Sequence, residues 1–145
     1  MHLSWPTAVP IITSLALAFA NVDEHPDTRI LNAPSAETYS SAEAISGQIV
    51  ELIRHASATK ECAPAPMPTI RLIDRPRNGS MTIRRVQLTG ATVRNCPNLD
   101  VMAAIILYVS RPGYTGEDHV RYDAITFDGE IDRYDIAISV KPKPD

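Results

Sequence analysis

Across 145 residues the chain has only two cysteines, six glycines, four histidines and one tryptophan. Each scarcity excludes a class of chemistry. No Cys-x-x-Cys occurs, and His25, His55 and His119 are too scattered to form a recognisable zinc pattern. The glycines form neither a phosphate-cradling loop nor a Gly-x-Ser-x-Gly elbow. Glu51, Glu61 and Glu130 have no carboxylate partner at a spacing that suggests glycoside hydrolysis. A net charge of −3 without a Lys/Arg cluster gives no electrostatic footprint for nucleic acid or anionic lipid. The sequence therefore leads us to expect no catalytic, cofactor-binding or metal site. A Ser-His-Asp set gathered from distant positions remains compatible with the composition.

What is present begins at the N-terminus. Ala8 to Ala20 is almost wholly apolar and uncharged, and it ends in the small-x-small pattern Ala18-Phe19-Ala20 before the polar Asn21-Val22-Asp23-Glu24. As a helix this stretch spans about 20 Å, short of a hydrocarbon core about 30 Å thick. We read residues 1–20 as a cleaved signal peptide, although the segment before Ala8 offers only the amino terminus and His2 as positive groups. The reading places the mature chain in the periplasm or outside the cell, with no membrane span, and puts the lone Trp5 in the removed segment. In an exported chain the pair Cys62 and Cys96 reads as a disulfide, which contributes about 3–4 kcal/mol in the chain-entropy model.

Residues 21–44 read as a loosely ordered arm and residues 45–145 as one β domain. Within the domain, Thr69–Ile73, Met81–Val86 and Ala104–Val109 are predicted strands, the last a continuous apolar run suited to burial on both faces. His119–Ala124 and Tyr134–Val140 alternate strictly, which puts Val120, Tyr122 and Ala124 on one face of the first and Tyr134, Ile136, Ile138 and Val140 on one face of the second. Asp128-Gly129 reads as the hairpin turn between them. Matching Tyr122 to Ile136 calls for a three-residue loop at Asp128–Glu130 or a bulge. Asn78-Gly79 reads as a turn that supplies positive φ. Ser40–Ala56 fits either a helix, with a Ser40…Glu43 capping box, or a strand over Gln48–Arg54; Gly47 and the pair Ile49-Val50 favour the strand.

The segment from Arg111 to Tyr122, Arg-Pro-Gly-Tyr-Thr-Gly-Glu-Asp-His-Val-Arg-Tyr, resembles a signature of bacterial immunoglobulin-like and cadherin-like modules. So do Pro76–Met81 and the closing hairpin at Asp128-Gly129. The resemblance covers roughly Ile70 to Val140 and extends to small exported bacterial proteins that hold one such domain with a cysteine pair and have no assigned activity. It implies an all-β, Ig-like antiparallel β-sandwich behind the signal peptide and arm. In it Gly113, Gly116 and Asp118 build a structural turn, and Tyr122 enters its strand as in a tyrosine corner. Ala124 stands where antibody-type domains have a cysteine, so the expected Cys62–Cys96 bridge lies elsewhere, tying the segment before the Ile70 strand to the loop after the next one.

The acidic trio Glu117, Asp118 and Asp123 lacks the fuller motifs of calcium sites, and Asp118 and Asp123 have opposite strand parity, so it reads as turn chemistry. Arg71, Arg84, Arg85, Arg121 and Arg133 read as a solvated sheet face, with Arg121 and Asp123 pairing weakly across the hairpin with Asp135 and Arg133. Ala63–Pro68 reads as a stiff linker. These features together lead us to expect a non-catalytic module that binds a protein or glycan of the cell envelope or exterior. The alternatives are a small periplasmic hydrolase, or an inhibitor or chaperone-like protein that binds through an edge strand.

Overall fold

A computed structural model describes residues 34–145, all of them strand, turn or irregular chain without a helix. The segment with Trp5, Ala18 and Ala20 lies outside the described residues. Seven strands follow one another: β1 (Ala36–Ile45), β2 (Ile49–His55), β3 (Thr69–Asp74), β4 (Gly79–Val93), β5 (Cys96–Ser110), β6 (Gly116–Ile125) and β7 (Ile131–Lys141). They form two sheets, ordered β1-β7-β6-β3 and β2-β5-β4.

The alternating apolar residues explain how the sheets meet. Ile106 and Tyr108 of one sheet pack with Ala44, Val120, Tyr122, Ile136, Ile138 and Val140 of the other in a single buried cluster. Each fully buried side chain of this size contributes about 1.5–3 kcal/mol. β5 runs down the middle of its sheet, and Ala103, Ala104, Ile105 and Ile106 are all buried, as its unbroken apolar run predicts. A second cluster, Val93, Cys96, Leu99 and Val101, fills the end of the molecule next to the disulfide.

Three expectations change, and the strand favoured within Ser40–Ala56 is present. Ala36–Ile45 is not part of a loose arm: it is a strand whose backbone pairs with β7, so its polar side chains need no core face to hold it. That pair is parallel, and the sandwich is antiparallel everywhere else. Ser40–Ala56 holds no helix: β1 ends at Ile45, a turn follows, and β2 occupies Ile49–His55, within a residue of the predicted strand. In the last hairpin Tyr122 faces Tyr134 rather than Ile136. Thr126 N–H donates to Glu130 O and Gly129 N–H to Thr126 O, which makes Phe127–Gly129 the three-residue loop, one position earlier than expected. Gly129 takes the left-handed conformation such a loop requires (φ 87°). Because the shift is two residues in register, every side chain stays on its expected face.

Candidate functional site

Asp118 enters β6 with its carboxylate buried. It accepts hydrogen bonds from the backbone N–H groups of Arg77 (2.9 Å), Asn78 (3.1 Å) and His119 (2.9 Å), and from the Tyr108 hydroxyl (2.7 Å). One side chain thus ties the β3–β4 turn to both sheets. Burial pushes the Asp118 carboxyl up, but the Tyr108 hydroxyl and the three N–H groups together outweigh it and hold the pKa below the usual carboxylate value. Burial, then the hydrogen bond to Asp118 and that residue's charge, pushes the Tyr108 phenol well above its ordinary range. Gly79 adjoins this knot, and its φ is not positive. Its hydrogen sits where a Cβ would lie 2.4 Å from Val109 O and 2.8 Å from the Tyr108 ring, so close approach, not turn geometry, requires glycine there.

The bend before β6 places Gly113 (φ 82°) and Gly116 (φ 124°) in the region that favours glycine. The Tyr114 hydroxyl donates to the Glu117 carbonyl at 2.6 Å and fixes the bend from inside. Tyr122, the tyrosine-corner candidate, directs its hydroxyl elsewhere. Its partner is His55 Nε2 on the opposite sheet, 2.8 Å away, and not backbone near its own strand. The reason is geometric: Tyr122 points into the space between the sheets, where β2 presents the buried imidazole. Tyr134 stacks on Tyr122 with ring centres 5.3 Å apart, and His55 meets the edge of both rings. Burial lowers the His55 pKa to about 4, so the ring is neutral at ordinary pH. A cleft of about 260 Å³ opens beside it, lined also by Thr126, Asp132 and Tyr134. Burial and the Glu130 charge raise the Asp132 pKa.

On the outer face of the β1-β7-β6-β3 sheet, Asp123 is completely buried at 0 % exposure. Arg133 closes over it with contacts of 2.8 and 3.1 Å, and Arg71 reaches it from β3 at 2.7 Å. The Arg133 hydrogen bonds lower the Asp123 pKa against a burial cost, with Arg71 adding to the effect. The weak solvated pairing expected here is instead a buried carboxylate held by two partly exposed guanidinium groups, because β3 brings a second arginine to it. Next along the face, His119 Nε2 lies 2.6 Å from Asp135 Oδ1, and Arg121 donates to Glu37 at 2.9 Å. Asp118 and Asp123 point to opposite sides of β6, and no three His, Cys, Asp or Glu side chains converge among the described residues.

Cys62, in the β2–β3 loop, is bonded to Cys96 at the first residue of β5, with Cα atoms 5.2 Å apart. The bridge pins that loop to the central strand and points to an oxidising, extracytoplasmic setting. Ala65 of the same loop is buried and donates its N–H to Ser57 O, so the proline-rich run is anchored rather than a free linker.

Sequence reasoning missed the partners of Asp118 and Tyr122 and the fate of β4. β4 is fifteen residues long and lies at the edge of its sheet. Ile83, at 43 % exposure, and the neighbouring Arg84 and Arg85 are open to solvent. The adjacent arginines were the available signal, since in a strand they must emerge on opposite faces. Compared with protein-family models, curated proteins and solved structures, the chain has no match.

Proposed function

We infer that this chain is an exported, non-catalytic interaction module of immunoglobulin-like build, acting on a protein or glycan of the periplasm or cell exterior. The strand order supports the Ig-like reading. β2, β5 and β4 take the places of the B, E and D strands, β3, β6 and β7 those of C, F and G, and the first strand joins the latter sheet. The disulfide and the apolar stretch ending at Ala20 support export.

The observation that carries the binding role is a contrast within the molecule. The buried ionisable side chains His55, Tyr108, Asp118 and Tyr122 hold one another or the backbone, and Asp123 is held by Arg71 and Arg133. The longest outer strand edge, that of β4, by contrast has no neighbouring strand among the described residues. Groups fixed this way serve the scaffold, and an open edge offers a row of unpaired backbone donors and acceptors.

Photo-crosslinking in intact cells tests the reading, with the reactive side chain placed in turn at Thr82, Tyr39 and Phe127. A discrete adduct with an extracytoplasmic protein or glycan is expected from at least one position. No adduct from any of them overturns the interaction role. The hydrolase alternative instead requires turnover that depends on His55, the histidine lining the cleft between the sheets.

A further inference from the structure

We propose that the free edge of β4 captures an extended acidic peptide segment as an added strand, an inference that rests on the interaction reading above. The ladder with β5 shows which backbone groups are on offer. Arg111 N–H donates to Asn78 O at 2.8 Å, in the same register as Ser80↔Val109 and Thr82↔Leu107. In an antiparallel pair this makes even-numbered β4 residues the ones bonded to β5. The N–H and C=O groups of Met81, Ile83, Arg85 and Gln87 therefore point away from the sheet, and no other described strand pairs with them.

The side chains define the occupant. Ile83 lies opposite Ile106, a core residue, yet keeps more than a third of its surface exposed, so an apolar side chain on an incoming strand would extend the core over it. Arg84 and Arg85 emerge on the two faces and form no ion pair among the described residues, and β4 carries no carboxylate along its length. Arg75 and Arg77 stand just before the strand, beside Asp74 at the end of β3 and Glu117 and Asp118 of β6. Opposite charges facing each other across strands are favourable, so a segment alternating apolar and acidic residues fits both faces. A second copy of β4 does not fit, because it would bring like guanidinium groups onto one seam.

The test uses the purified disulfide-bonded protein and two labelled peptides of about ten residues, one alternating valine with glutamate and the other valine with lysine. The glutamate peptide should bind at least about tenfold more tightly. On saturation it should slow amide exchange at Ile83, Arg85 and Gln87 while leaving the ladder amides of Arg84 and Val86 unchanged. The double variant Arg84→Glu with Arg85→Glu should reverse the preference. Ile83→Pro should abolish binding, since it removes an outward N–H without touching the β5 ladder; an unchanged far-ultraviolet spectrum and melting temperature show that it folds. Equal binding of the two peptides, no binding by about 1 mM, protection on β1 or β3 instead, or dimerisation through β4 each overturns the proposal. Crosslinks to an envelope component that persist in Ile83→Pro would overturn the edge as the site and leave the interaction role standing.

Discussion

His55 on β2 and Tyr122 on β6 meet across the interior, Nε2 to hydroxyl at 2.8 Å, so that each sheet supplies the other's buried polar partner. The contact sets a pH dependence. Burial holds the His55 pKa at about 4, while an unfolded chain titrates near 6.5. Between those values the unfolded state takes up a proton that the folded state refuses. Stability from this group is therefore complete above pH about 6.5 and falls as pH drops toward 4, by about 3 kcal/mol in all. Urea unfolding at a series of pH values should show this slope, and His55→Gln should flatten it. Tyr122→Phe should cost about 1–2 kcal/mol at neutral pH.

Asp118 should dominate the upper end of the sandwich. Asp118→Ala strands the Tyr108 hydroxyl and three backbone N–H groups, and should cost about 3 kcal/mol or more. Asp118→Asn retains an acceptor and should cost less. Tyr108→Phe removes one donor and should cost about 1–2 kcal/mol. Equal losses for the three variants in chemical denaturation would show that the carboxylate is not the organising group.

Asp123 makes a separate prediction. Its pKa, like that of Asp118, is lowered in the fold, so the stability it contributes is present above the ordinary carboxylate range and lost as pH falls below about 4. Acid unfolding should thus have two stages, the His55 slope first and the carboxylates beneath it. Asp123→Ala leaves Arg133 without its partner and should cost about 3–5 kcal/mol. Arg71→Ala should cost less than Arg133→Ala, because Arg71 is the more exposed of the two arginines.

Gly79→Ala should destabilise by about 1–3 kcal/mol, since the new methyl group meets Val109 O and the Tyr108 ring. Gly113→Ala meets no atom and should lose only the smaller cost of its positive φ. Thermal melts of the two variants give the comparison directly.

Reduction of the Cys62–Cys96 bond, which spans 34 positions, should lower unfolding free energy by about 3–4 kcal/mol. The loss should match that of Cys62→Ser with Cys96→Ser in oxidised buffer. A variant as stable as the parent would mean that the loop is held by its own packing.

The parts legible in the sequence are those whose signal is local. Strict alternation in His119–Ala124 and Tyr134–Val140 gave the faces of β6 and β7, and the apolar run at Ala104–Val109 gave the buried strand β5. β1 escaped notice because it has little apolar alternation and is held by a parallel partner distant in the chain. The same distance hid Tyr108 from Asp118 and His55 from Tyr122, whose meeting depends on how the sheets pack. That β4 is an edge follows from sheet order, which no residue of β4 encodes by itself; only the consecutive arginines at its centre hinted at solvent on both faces.

The setting on which the binding role depends can be tested by intact mass of the protein recovered from the extracytoplasmic fraction. The mass should equal that of residues 21–145 with both thiol hydrogens lost, and the material should show tyrosine but no indole emission, because Trp5 has been removed. A full-length 15.9 kDa chain with free thiols, retained in the cytoplasm, would contradict it.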